Sequence, residues 1–130
     1  MNIIVFKKEF EIHTTPLEKI FSDPYSISIE VDDINETRHR LIFKPYVAYR
    51  VTSIDCVSSK DFYNDYCFRD GRYHRHILKV ENSEWINDLK SKTGKLNGSF
   101  LNQVNHYVLP LQDIVIEVLA NDIVVQIIKS

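Results

Sequence analysis

Hydrophobic and polar residues alternate along three segments of the chain, 4–12, 27–31 and 41–54. Successive side chains of a strand point to opposite faces, so this period of two predicts half-buried β-strands. Proline has no backbone N–H to donate to a sheet. Pro45 therefore predicts that the third of these strands is bent, bulged or at a sheet edge.

The C-terminal part of the chain has the densest apolar pattern. It predicts a β-meander of three strands, 106–109, 114–120 and 123–128, in which Asn121-Asp122 forms a two-residue hairpin turn. The last two of these strands are apolar on both parities. We therefore expect both of their faces to be covered, by helices, a second sheet layer or a partner subunit.

Three stretches predict short helices. Thr15-Pro16-Leu17-Glu18 forms a capping box with proline at the first helical position, and a second helix is predicted around 62–66. Asn82-Ser83 precedes a third helix that carries Trp85, and Gly94 is expected to end it. The chain is thus predicted to be a single α+β domain, residues 1–130, with a mainly antiparallel twisted sheet, two or three short helices and the C-terminal β-meander.

The composition excludes several classes of function. The chain has 130 residues, 16 Lys and Arg against 18 Asp and Glu, and a net charge of −2, which gives no general attraction to nucleic acid or an anionic membrane. Its three glycines cannot form a phosphate-binding loop, so no nucleotide cofactor is expected. The sequence shows neither an export signal nor a membrane-spanning run, and this predicts a cytoplasmic protein with two reduced cysteines.

One histidine pair suggests a metal site. His74 and His76 stand two positions apart in a predicted strand, so both imidazoles face one side, and His106 is a candidate third ligand for a divalent metal. With Glu81, the pair resembles the first metal motif of cupins, although the second cupin motif is absent. The alternative, which we favour, is that these histidines are half-buried and hydrogen-bonded within the sheet.

Two other sets of residues suggest contact with another protein. Asp32, Asp33 and Glu36 form an acidic loop, and Tyr63 and Tyr66 lead into a basic, aromatic stretch that ends at residue 79. Such side chains suit a protein surface of complementary charge, whereas the acidic remainder of the chain disfavours nucleic acid.

Glu117 lies in the middle of the most apolar predicted strand. A carboxylate buried there is either a general acid or base with a raised pKa, or the partner of a neighbouring Arg or His. We find no recognisable catalytic set around it, and no catalytic residue is predicted.

The residues Asn82-Ser83, Trp85-Ile86, His106-Tyr107, Asp113 and Glu117-Val118 occur in an order that resembles a group of small uncharacterised bacterial proteins. The resemblance covers residues 80–120 and carries no established activity. Small bacterial proteins of this build are often immunity proteins encoded beside toxins, and the resemblance implies that role by analogy of size and style.

Three hypotheses follow. The first is a non-enzymatic bacterial protein-binding module, most concretely an immunity protein that neutralises a cognate toxin by masking its functional surface. The second is a metal-binding protein or small metalloenzyme that uses His74 and His76. The third is a structural homodimer in which the C-terminal strands pack across a two-fold axis.

Overall fold

The computed structural model describes residues 2–58, 60–97 and 99–129, and these contain eleven strands, one α-helix and three short 3₁₀ helices. The strands are β1 (Asn2–Val5), β2 (Glu11–Ile12), β3 (Lys19–Ser22), β4 (Ile27–Asp32), β5 (Arg38–Ser53), β6 (Phe68–Arg69), β7 (Arg72–Tyr73), β8 (Arg75–His76), β9 (Leu78–Glu81), β10 (Asn105–Pro110) and β11 (Ile114–Lys129). The helix α1 covers Glu84–Asn97, and the 3₁₀ helices cover Ile54–Cys56, Asp65–Cys67 and Ser99–Gln103.

Seven strands form one antiparallel sheet in the order β1-β9-β10-β11-β5-β4-β3. The pairs β2-β8 and β6-β7 form two small additional sheets. The predicted mainly antiparallel sheet is therefore confirmed. Its centre is the pair of long strands β5 and β11, which run alongside each other over 16 residues each.

The β5–β11 pairing corrects the predicted end of the meander. β11 follows β5 from the pair Ile114–Ser53 to the pair Lys129–Arg38, so the predicted hairpin turn at Asn121-Asp122 is wrong. The chain continues as one strand there because β5 offers a partner along its whole length. The register shifts once beside Pro45, between Leu119 and Ala120 of β11, as the proline predicted.

The helices also differ from the prediction, because the described residues contain one α-helix where two or three were expected. The capping box at Thr15 leads instead into strand β3, since the Pro16 carbonyl accepts a hydrogen bond from the Asp32 N–H and Leu17 adopts a φ of +52°, outside the helical region. The region around 62–66 forms a turn and one 3₁₀ helix.

The helix predicted to begin at Asn82-Ser83 is confirmed. It is α1, and the Ser83 hydroxyl caps it by accepting the Ile86 N–H at 3.2 Å. Gly94 does not end this helix, which continues to Asn97.

The core lies on both sides of the sheet where β11 is central. Ile116 and Val118 belong to the largest apolar cluster, whereas Leu119 packs on the opposite side with Ile86 of α1 and Leu101. The prediction that both faces are covered is thus confirmed for 115–120. It is wrong for 123–128, where every side chain is exposed or only partly buried.

Among the residues described, α1 is neither long enough nor apolar enough to cross a bilayer.

Candidate functional site

A buried polar network joins the start of α1 to the centre of the sheet. β10 and β11 bring His106 and Glu117 together, and the His106 Nε2 lies 2.8 Å from the Glu117 Oε1. On the other side of the ring, Nδ1 lies 2.7 Å from the Ser83 Oγ. We call these three residues, with Arg50 and Trp85, the Glu117 network.

The hydrogen-bond partners determine where the protons lie in a neutral imidazole. An ionised Glu117 can only accept, so the His106 Nε2–H donates to it and Nδ1 accepts from the Ser83 hydroxyl. The same hydroxyl oxygen accepts the Ile86 N–H at the first turn of α1. One chain of hydrogen bonds therefore connects the helix backbone to a carboxylate in the middle of the sheet.

Arg50 completes the network from β5. Its Nε and Nη2 donate to the two Glu117 oxygens at 2.7 and 3.1 Å, while its guanidinium stacks on the Trp85 ring at 4.1 Å. Burial alone raises the pKa of Glu117. The hydrogen bonds from His106 and Arg50, together with the charge of Arg50, outweigh burial and hold that pKa below its ordinary value. The expectation that Glu117 pairs with a neighbouring Arg or His is confirmed.

The connectivity Ser83–His106–Glu117 matches the logic of a hydrolytic triad, in which an acid orients a histidine that activates a serine. The Glu117 network differs from such a site because a substrate cannot reach its serine. Ser83 is only 4% exposed, and its oxygen already holds the Ile86 N–H. A substrate carbonyl has no approach to that oxygen, so the arrangement serves to tie α1 to the sheet.

A second network surrounds the other two candidate metal ligands. The His74 Nδ1 lies 3.0 Å from the Glu11 Oε2, and its Nε2 faces the Arg69 carbonyl at 3.2 Å. The His76 Nδ1 donates to the Phe10 carbonyl at 2.7 Å, and its Nε2 lies 3.1 Å from the Arg69 Nη2. We call Glu11, Tyr66, Arg69, His74 and His76 the His76 network.

The outer side of the His76 network is a stack of cations on an aromatic ring. The Arg69 guanidinium lies 4.2 Å from the Tyr66 ring centre, and the Lys8 ammonium lies 4.9 Å from it. Burial lowers the pKa of His76, and the Arg69 charge lowers it further. A neutral His76 is therefore the form that suits this surrounding.

The three histidines predicted as metal ligands do not lie in one cluster. The structure brings His74 and His76 together but places His106 in the other network. Both ring nitrogens of each histidine lie within hydrogen-bond distance of protein atoms. In the described part of the chain no group of three His, Cys, Asp or Glu side chains has the geometry to hold a metal ion.

Most carboxylates of the acidic loop bind other groups of the same chain. Asp32 pairs with Arg38 at 3.1 Å, and Asp33 accepts a hydrogen bond from His39 at 2.8 Å and two more from loop backbone N–H groups. Burial alone raises the pKa of Asp33, but these hydrogen bonds bring it below its ordinary value. Glu36 is the exposed member, 3.8 Å from His13. Two of the three predicted acidic contacts thus stabilise the β4–β5 connection.

A groove of about 980 Å³ lies beside the segment 54–73. β1 and the β10–β11 turn also line the groove, through Ile3 and Leu111. The segment contributes aromatic and charged side chains to the groove, namely Lys60, Asp61, Phe62, Tyr63, Asp65, Phe68 and Tyr73, and β8 adds Arg75.

Tyr63 precedes the 3₁₀ helix Asp65–Cys67 and Tyr66 lies within it, and both side chains are exposed. Tyr63 lines the groove, and its hydroxyl interacts with the Asp65 carboxylate, which raises the pKa of the tyrosine. Tyr66 belongs to the His76 network instead. The sequence therefore identified one residue of the groove among its candidate binding residues.

Ser83, Arg50 and Arg69 were not recognisable from the sequence as members of polar networks. Ser83 was recognisable as a helix cap, but its bond to His106 spans 23 residues. The pair Arg50–Glu117 spans 67 residues and depends on the β5–β11 register. Four of the residues that suggested the bacterial resemblance lie together in the Glu117 network: Ser83, Trp85, His106 and Glu117.

No protein-family model matches the chain, and neither a curated protein nor a solved structure matches it.

Proposed function

We propose that the protein acts by binding another protein, with the groove along the segment 54–73 as the contact surface. The observation that supports this is the composition of the groove. Tyrosine, phenylalanine and arginine side chains are the types that protein interfaces concentrate, and the groove combines them with both signs of charge.

The rim of the groove favours a macromolecular partner over a small ligand. Tyr63 is 49% exposed and Phe68 is 52% exposed, so these rings extend the apolar surface beyond the cavity. Large aromatic side chains exposed next to a concave surface are typical of anchoring residues in protein complexes. Charged side chains of the segment, such as Lys60 and Asp61, provide the polar rim that such a contact needs.

The most concrete form of this proposal is an immunity protein that covers the functional surface of a toxin. A cationic toxin surface would meet Asp61 and Asp65 in the groove and Glu36 at the acidic loop. Arg75 and the Lys8–Arg69 pair would contact acidic positions of the same partner. In this form the protein needs no catalytic group and no cofactor.

Photo-crosslinking in cells tests the proposal directly. A photoreactive amino acid at position 63 is expected to capture one specific protein. Tyr25 provides the matched control position, because it is a tyrosine with 61% exposure in the β3–β4 turn, outside the groove. The captured protein is then purified and its affinity measured.

For that partner, Tyr63→Ala is expected to weaken binding by about tenfold or more, the range of an aromatic anchor residue, while Tyr25→Ala leaves it unchanged. If the partner is a toxin, co-expression of the wild-type chain restores growth and Tyr63→Ala restores it less. Equal capture from positions 63 and 25, or equal affinity of the two variants, would contradict the proposal.

A further inference from the structure

The C-terminal half of β11 has an open edge. β10 pairs with β11 only at residues 115–120, and the Asn105 side chain then donates to the Asn121 carbonyl at 2.9 Å. From Asp122 onward, β11 pairs with β5 on one side, and no described strand lies on the other. The N–H and C=O groups that point to that side are a template for one more strand.

The other two edges of the seven-stranded sheet are protected. β1 and β3 are four residues each. Lys7-Lys8 follows β1 closely, and β3 begins at Lys19 and is followed by Asp23-Pro24. Short edges, lysine and proline are the usual means by which proteins prevent edge-to-edge pairing. From Ile123 to Ile128 the open edge of β11 has neither lysine nor proline; Lys129 ends the strand, and the register shifts between Ile127 and Lys129.

The side chains along this edge are apolar and exposed. Ile127 is 67% exposed, and Val124 and Ile128 are also exposed. Neighbouring positions of a strand alternate between faces, so apolar surface is available on both faces of the sheet at this edge. A strand added here would cover backbone polar groups and apolar side chains together.

We propose that residues 122–128 of β11 pair antiparallel with the same residues of a second copy of the chain, across a two-fold axis. A two-fold axis places a strand antiparallel to itself, which is the arrangement that extends an antiparallel sheet. Ile123–Ile128 carries no charge, so self-pairing brings no like charges together within that stretch. Two seven-stranded sheets would join into one.

This surface is separate from the groove. Val115 lines the groove near the N-terminal end of β11, whereas the open edge begins seven residues later. The dimer therefore leaves the groove free, and either proposal stands without the other.

The test compares self-association of the wild-type chain with two lysine variants by sedimentation over a wide range of protein concentration. Ile127→Lys places a lysine in the paired stretch of each copy, opposite the apolar Ile123 of the other copy, and is expected to weaken the dimer by about tenfold or more. Leu17→Lys is the matched control, because Leu17 is 62% exposed in the segment before β3. It is expected to leave the dimer intact, and at a concentration at which the wild-type chain is monomeric both variants should keep its melting temperature.

Hydrogen exchange identifies the surface itself. The outward-pointing amides of residues 122–128 should gain protection as the wild-type concentration rises, and Ile127→Lys should abolish that gain. A strict monomer at every concentration, or a dimer that Ile127→Lys does not weaken, would overturn the proposal. It would also be overturned if these amides became protected only when a different protein was added.

Discussion

The Glu117 network and the His76 network are built from the same types of residue. Each holds histidine beside a glutamate and an arginine, and in each the arginine stacks on an aromatic ring, Arg50 on Trp85 at 4.1 Å and Arg69 on Tyr66 at 4.2 Å. The two networks differ in how closely the arginine approaches the glutamate. Arg50 holds Glu117 by two short hydrogen bonds, whereas Arg69 approaches Glu11 only to 3.7 Å.

The position in the fold explains this difference. Glu117 lies on a central strand with partners on both sides, so its surroundings are held rigidly. Glu11 lies on a two-residue strand paired only with β8 and one isolated bridge. The same residue types therefore give a buried structural tie in the centre of a sheet and a more adaptable, partly exposed cluster at its periphery.

The largest expected effect is the loss of Glu117. In Glu117→Ala the buried His106 N–H loses its acceptor and Arg50 loses its partner, which we expect to lower the free energy of unfolding by about 3 kcal/mol. Glu11→Ala is the matched change in the His76 network, and about 1 kcal/mol is expected there. Urea denaturation of both variants checks this, and equal losses would show that the two networks do not differ in stabilising strength.

Ser83 is expected to have the next largest effect, because its hydroxyl both caps α1 and donates to His106. Ser83→Ala should cost about 1–2 kcal/mol of unfolding free energy. Ser91 is the control on the same helix, since its hydroxyl is exposed and bonds only to the Asp88 carbonyl. Ser91→Ala should stay within about 0.5 kcal/mol of wild type. Urea midpoints measure both, and a Ser83→Ala midpoint equal to that of Ser91→Ala would argue against the tie.

The fold was predictable where a local pattern decides structure. The strands at 27–31 and 41–54, the bulge beside Pro45 and the Asn82-Ser83 helix start all depend on near neighbours, and the structure confirms them. The predicted alternation of buried and exposed side chains in β5 holds only as far as Phe43, because Tyr49 and Val51 are exposed. The turn at Asn121-Asp122 failed because those residues favour a turn only when no partner strand continues past them, and β5 continues. Long-range pairing overrode local preference.

The sites were less predictable for the same reason. His74 and His76 were expected to lie on one strand and to face the same side, but the strand is interrupted at His74, between β7 and β8. Besides Arg69, their partners are Glu11 and Phe10, which lie more than sixty residues away in the sequence. The sequence shows which side chains can form hydrogen bonds, carry charge or bind a metal. It does not tell which distant backbone carbonyl or carboxylate will engage them.

The two networks should lose their stabilising contributions at different pH values. The pKa of His76 is lower in the folded chain than in the unfolded chain. As the pH falls below the ordinary value of 6.5, the unfolded chain therefore takes up a proton that the folded chain does not, and the stabilising contribution of His76 is lost. The pKa of Glu117 is also lowered, and its contribution is lost only as the pH falls below 4.5. Stability is therefore expected to fall in two stages.

Urea midpoints measured from pH 8 to pH 3 check these stages. His76→Asn should flatten the upper stage alone. Glu117→Gln should reduce the lower stage without abolishing it, because Asp33 titrates in the same direction in that range. A single acid transition that neither variant alters would contradict the assignment of the stages to these groups.

Divalent metal should have the smallest effect of all. Zn²⁺ binding at His74 and His76 would require both rings to leave partners that they already contact at 2.7–3.2 Å. We therefore expect equimolar Zn²⁺ to leave the melting temperature unchanged, in wild type and in His76→Asn alike. A rise seen in wild type and lost in His76→Asn would mean that the His76 network opens to take the metal. Because Glu11 is held less firmly than Glu117, the His76 network is the one of the two that has the freedom to rearrange.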